Sequence, residues 1–186
     1  LLANAPDPFS RWEAGQRLAL RSAIQSIASN ADFTGAKPLN DEYLGAMRAV
    51  LRHPTLDAAF KELVLTLPSE TYIAEQLDVV DPQRIHAVRE AMRAQLATDL
   101  QADWQWAFEA HQASGAYRPD ATSAGRRALA GMALSMLCLA AVQTGDTVWP
   151  GKALQRFKDA GNMTDRANAL QALVSSGHPL ATNALT

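Results

Sequence analysis

Between Asp81 and His111 the apolar residues Ile85, Val88, Met92, Leu96, Leu100, Trp104 and Phe108 recur at steps of three and four. Arg84, Arg89, Arg93, Asp99 and Gln101 fall mostly elsewhere, so the spacing predicts one long helix with an apolar stripe and a wet opposite side. Asp81 at the cap and Pro82 at the first helical position set its start, because the carboxylate accepts free backbone N–H groups and proline gives up only a donor that has no partner there. Neither proline nor glycine interrupts the run before Gly115. At 1.5 Å per residue such a helix would span roughly 45 Å, so several shorter helices must cover its stripe.

The same reading predicts those shorter helices. Asp7-Pro8 repeats the cap-plus-proline start, and Phe9, Trp12, Leu20, Ile24 and Ile27 make an apolar face up to about Ser29, with Trp12 expected in the core. After the breaker-rich linker SNADFTGAKPLN, Asn40 or Asp41 caps a helix carrying Leu44, Met47, Val50 and Leu51, ended by His53-Pro54. Thr55 is expected to cap LDAAFKELVLTL, which Pro68 stops, and Ser69 opens a short helix with Glu70 in its first turn. AHQASGAYRPDATSAG reads as a loop before the apolar helix RRALAGMALSMLCLAAVQTG. Pro150 starts a helix to about Ala160, Gly161-Asn162 is expected to end it in the left-handed conformation, and Thr164 caps a last helix closed by Gly177 and Pro179. The result is an all-α chain of about eight helices, an irregular helix-hairpin array in one domain over residues 1–186, without a strict repeat and without a sheet.

Composition narrows the class. With 186 residues, 48% hydrophobic and 19% charged, the chain is ordinary for a globular domain. A net charge of −2 without a basic block gives neither a nucleic-acid footprint nor a polybasic membrane contact. The apolar run from Ala128 to Val142 is about fifteen residues, short of the roughly twenty that a bilayer requires, and reads as a buried helix whose small residues allow close approach. Cys138, the single cysteine, suits a reducing, cytoplasmic setting. LLANAPDPF lacks the pattern of a signal peptide, and the abrupt ends are expected of a fragment truncated on both sides.

The residues show little chemistry. None of His53, His86, His111 and His178 lies in H-E-x-x-H. His86 and Glu90, four apart, are expected to be a surface pair, not two ligands of a metal, and Cys138 is expected to be an inert core thiol. G-x-S-x-G, P-loop and dinucleotide-glycine patterns are absent from the sequence. Asn162-Met163-Thr164 fits a glycosylation sequon but reads as a helix-cap turn, and Trp104 and Trp106 point to different sides of one helix, one into the core and one over a neighbour. No catalytic, cofactor-binding or metal-binding residue is assigned.

Asp7-Pro8-Phe9-Ser10-Arg11-Trp12-Glu13-Ala14-Gly15-Gln16 resembles the D-x-F-x-R-W-E-A-x-Q stretch of the bacterial aminopeptidase N (alanyl aminopeptidase) family of zinc gluzincins. Val80-Asp81-Pro82, Val88-Arg89-Glu90-Ala91, Arg126-Arg127-Ala128-Leu129, Ala160-Gly161-Asn162-Met163-Thr164-Asp165 and Ala169-Leu170 follow in the order of that family's landmarks, so the resemblance covers essentially the whole chain. It implies the C-terminal helical domain, a superhelical array that walls and gates the active-site chamber. It also implies that the zinc, H-E-x-x-H and the G-x-M-E-N motif belong to an upstream catalytic domain of the same polypeptide, with peptides as substrates and with no cofactor in this chain. Two other readings stand beside it: a free-standing helical scaffold that binds a protein partner, and a helical domain with a small apolar ligand pocket.

Overall fold

The computed structural model describes residues 7–29, 32–112 and 117–185. Over these the chain is all-α, with ten helices and no strand: α1 (Pro8–Ala28), α2 (Asp41–Arg52), α3 (Ala58–Leu65), α4 (Glu70–Ala74), α5 (Pro82–Asp99), α6 (Gln101–Ala110), α7 (Ala121–Thr144), α8 (Val148–Asp159), α9 (Met163–Ser176) and α10 (Leu180–Leu185). The expected class holds, with two helices more than expected. One is α10, and the other comes from the long helix, which breaks at Leu100 into α5 and α6. Leu100 has φ −112° and ψ 21° and is fully buried. Burial of Leu96, Leu100 and Trp104 follows the expected stripe through the break. No proline or glycine marks the break in the sequence.

The described chain resolves into two compact units, Leu1–His53 with Leu63–Leu96 and Pro54–Glu62 with Ala97–Thr186. In the first, α2 buries Tyr43, Leu44, Met47, Val50 and Leu51, and Asn40 caps it by accepting from the Tyr43 N–H at 2.8 Å. The buried Gln95 side chain on α5 grips the linker before α2. Its amide donates to the Leu39 carbonyl at 2.9 Å and its oxygen accepts from the Leu39 N–H at 2.8 Å. Helix ends leave carbonyls without intrahelical partners, and side chains from α1 and α5 supply donors for several. Arg84 donates to Ile27 at the end of α1 (3.0 Å), Gln16 to Thr66 just past α3 (2.8 Å) and Arg89 to Pro68 (2.8 Å).

Three expectations about α1, α3 and α5 are corrected. The buried face of α1 is the small-residue stripe Gly15, Ala19, Ser22 and Ala23, and not the face of large apolar residues. Trp12 is only half-buried, its ring tilted against a 63% exposed Phe9 at a centroid distance of 5.8 Å. Asp57, not Thr55, caps α3, since its carboxylate accepts from Ala59 (3.0 Å) and Phe60 (3.3 Å). His86 pairs with Glu70 at 2.8 Å and not with Glu90, whose carboxylate lies 3.1 Å from Arg93.

In the second unit α7 packs against α6, α8 and α9, and α8 packs against α9. Asp120 starts α7 five residues before the expected Arg126, accepting from the Ser123 N–H at 2.8 Å. At 24 residues α7 is long and apolar enough to cross a membrane by length and composition, yet 61% of its most apolar window is buried within the fold. Two of its glycines mark close approaches. A Cβ at Gly125 would lie 2.9 Å from the Ala59 backbone nitrogen, and one at Gly131 would lie 2.7 Å from the Asn168 side-chain amide. Arg126 donates to the carbonyls of Ala110 (3.0 Å) and Gln112 (3.2 Å), and Arg127 to that of Arg118 (2.7 Å) while lying 4.5 Å over the Tyr117 ring. Trp104 is in the core, whereas Trp106 is half-buried with the Lys61 ammonium 5.7 Å from its ring.

These approaches order the cost of added volume. Gly125→Ala, which meets backbone, is expected to lose about 2–3 kcal/mol, and Gly131→Ala, which meets a side chain able to move, about 1 kcal/mol. Urea unfolding of the two variants checks this, and an equal or reversed order would show that α7 approaches its neighbours differently.

Candidate functional site

The most distinctive stretch of the sequence, Asn162 to Asp165, forms the turn from α8 into α9. Asn162 is extended at φ −146° and ψ 158°, which corrects the expected left-handed conformation, and it displaces Thr164 as the cap. Its oxygen accepts from the Asp165 N–H at 2.9 Å and its amide donates to the Asp165 carboxylate at 2.8 Å, two local bonds that an extended residue makes and a left-handed one does not. The sequon asparagine is thus occupied as a helix cap.

Asp165 is held in turn by Arg156 on α8, 3.6 Å away. The same guanidinium donates to the Gln112 side-chain oxygen at 2.6 Å and lies 5.5 Å over the Phe108 ring. Phe108 meets Trp149 edge-on at 5.5 Å, with the Lys152 ammonium 4.2 Å from the Trp149 ring. One arginine thereby joins the end of α6, the body of α8 and the first turn of α9. Sequence reasoning missed both Arg156 and Gln112, because the partners lie 44 residues apart and no local pattern marks them. Beside the turn is an open recess of about 210 Å³ lined by Ala160, Gly161, Asn162, Met163 and Arg166, with Met163 77% exposed.

The other candidate groups have local roles. His53 ends α2, His86 lies on the surface of α5, and His178 accepts from the Leu180 N–H at 3.2 Å. His111 ends α6 with Nδ1 2.8 Å from the Ala107 carbonyl oxygen. Burial depresses its pKa, and the charges of Lys61 and Arg126 add to the shift against the opposing hydrogen bond. Cys138 is buried in α7, and burial pushes its thiol up to about 12 from an ordinary 9.0. Among the described residues no three His, Cys, Asp or Glu side chains converge as a metal site would require. The motif residues of α1 are likewise structural, Gln16 closing the Thr66 carbonyl and Glu13 pairing with Arg17 at 2.7 Å on the surface. What this geometry can do is hold a shape.

Residues 1–186 match in full a family described as a domain of unknown function (DUF3458_C) with ARM repeats. The chain is similar to aminopeptidase N of Caulobacter vibrioides, at 32% identity over 95% of its length, and to aminopeptidase N of Escherichia coli K12, at 32% over 96%. In both cases it spans only 20% of the relative's own length. A crystal structure of Legionella pneumophila aminopeptidase A in complex with aspartic acid shares the fold, with a TM-score of 0.78 over 99% of this chain and 22% of that one, at 24% identity. The resemblance drawn from the α1 motif and the later landmarks is borne out.

Two outcomes follow from the site's geometry. Arg156→Met should lower stability by about 1–3 kcal/mol, since it leaves Gln112 and Asp165 without their charged partner, and calorimetry reads the loss. An unchanged melting temperature would remove Arg156 as the joint of α6, α8 and α9. For Cys138 the folded pKa is raised, so above about pH 9 the unfolded chain sheds a proton that the folded chain keeps. Stability should therefore be full below that pH and fall as it rises toward about 12. Cys138→Ala should flatten the slope in denaturant titrations across that window.

Proposed function

The chain belongs to the DUF3458_C family of ARM-repeat domains, and we propose that it is the non-catalytic helical part of a zinc-dependent aminopeptidase that removes N-terminal residues from peptides. The observation that carries this reading is the similarity to aminopeptidases N along nearly the whole chain, in a stretch only 20% of their length. In this role the 186 residues act as one helical domain that walls the chamber where peptides are cleaved and restricts their entry. The partner is the catalytic domain of the same polypeptide, which holds the zinc. Neither nucleic acid nor a membrane takes part, and the setting is the cytoplasm, where a single buried thiol needs no partner. The scattered histidines and the turn built on Arg156 support a contribution through shape, with the chemistry supplied elsewhere.

The zinc would polarise the scissile carbonyl and activate a water, work that uses three protein ligands and an open position. This chain's residues do not fit that requirement. His86 pairs with Glu70 on the surface, and no third donor joins them among the described residues.

Two assays test the proposal together. The 186-residue chain alone should release no chromophore from an alanyl anilide and should keep no stoichiometric zinc after dialysis. The complete polypeptide should do both, with turnover lost to a chelator. As a wall, the domain should influence KM for peptides of increasing length more than kcat when its surface is altered. Tight zinc and chelator-sensitive turnover by the 186-residue chain would overturn the reading.

A further inference from the structure

Helix α1 carries a buried face of small residues and a second face of large apolar side chains that stays partly exposed among the described residues. Gly15, Ala19, Ser22 and Ala23 form the buried small-residue stripe, and the principal contacts of α1 are with α2 and α4. The large apolar residues lie on a different side, Leu20, Ile24 and Ile27 half-exposed and Phe9 63% exposed. Along that side runs a groove of about 300 Å³ bounded by Arg17, Leu20, Arg21, Ile24 and Gln25. A helix that is apolar on two sides is built to lie between neighbours. In stacked repeats each unit buries its apolar face on the next, so a helix inside the stack needs such a neighbour on each side.

We infer that the outer face of α1 is the seat of a further helix of the same polypeptide, from outside residues 1–186, with an apolar stripe flanked by carboxylates. Three observations select this occupant. The chain is an ARM-repeat domain matching only 20% of the length of its aminopeptidase N relatives, so on the reading above, on which this inference rests, most of the polypeptide lies elsewhere. The apolar lining of the groove is Leu20 and Ile24, side chains suited to a helix with its own branched aliphatic residues. Its rim is basic: Arg17 is shared with Glu13, while Arg21 is exposed and makes no ion pair among the described residues. An approaching carboxylate would complete Arg21.

Thiol labelling reads the face directly, because Cys138 is buried. Ile24→Cys is placed in the 186-residue chain and in the complete polypeptide, each in native buffer and in denaturant. In the short chain the new thiol should react freely. In the complete polypeptide its rate should drop by about tenfold or more, as expected of a site reached only by local opening, and return in denaturant. Arg21→Glu added to the complete polypeptide should restore several-fold of that rate by setting like charges against each other. Equal labelling in both chains overturns the inference, and protection unaffected by Arg21→Glu overturns the acidic character of the occupant. Protection in the short chain that grows with concentration would make a second copy the occupant, which also overturns it. Turnover of the alanyl anilide by the same preparations separates the two claims. An active but unprotected polypeptide sinks the docking face alone, and a protected but inactive one sinks the aminopeptidase reading alone.

Discussion

An array of short helices must find partners for backbone carbonyls at many helix ends, and in this protein long side chains reaching from other helices do much of that work. Each α-helix leaves four carbonyls without intrahelical partners at its C-terminal end, and a buried one left unsatisfied costs about 1–3 kcal/mol. Arg84 serves the end of α1, Gln16 and Arg89 serve the chain beyond α3, and Arg126 serves the end of α6. Gln95 goes further by mimicking a backbone strand neighbour, taking both the N–H and the carbonyl of Leu39 in a buried site. Without it the linker before α2 would bury two unpaired groups, and α2, with Tyr43, Met47 and Leu51 in the core, would lose its fixed entry point.

This changes what the family landmarks mean. Gln16, Arg89, Arg126 and Arg127 all sit in the stretches that carry the aminopeptidase resemblance, and each donates to a carbonyl in a connection or at a helix end. Asn162 and Asp165, from the most specific of those stretches, close the start of α9. The stretches that identify the chain therefore encode joints between helices. A motif can thus be diagnostic of an enzyme family while its residues serve the packing of helices.

The parts legible in the sequence were those where the deciding interaction is local. Asn40 with Leu44, Met47, Val50 and Leu51 specifies α2 from its own residues, and Ser69 specifies α4 in the same way, its hydroxyl accepting from Tyr72 at 3.1 Å. The break at Leu100 was not legible, with no proline or glycine nearby to mark it. Other failures arise where a distant partner chose among local options. Gly125 read as loop because its close approach to Ala59 could not be seen, although Asp120 supplies a sound cap for a helix running through it. On α1 the large-residue stripe was real, but the structure buries the small one. Within the site, Asn162 was legible as a cap-turn residue, whereas Arg156 gains its role only once α6, α8 and α9 meet.

The energetics of α7 bear on the supporting role proposed above. Its buried side is rich in alanine, with Ala133, Ala140 and Ala141 fully covered, and Gly131 lets Asn168 of α9 reach the Arg127 carbonyl at 3.2 Å. Small residues bury less apolar area per side chain than leucine, so each contributes less hydrophobic stabilisation. What they provide is backbone proximity, at which a shift of a few tenths of an ångström at Gly125 meets the Ala59 backbone in place of a pliable side chain. Arg127 is held similarly, its Nη2 donating to the Arg118 carbonyl and its guanidinium lying over Tyr117, while its buried Nε has no acceptor among the described residues. Packing of this kind gives up some stabilisation per residue in exchange for a fixed distance between helices. A wall that sets the width of a chamber depends on that distance, whereas a surface that reshapes itself around varied partners would favour flexible methionine-rich contacts.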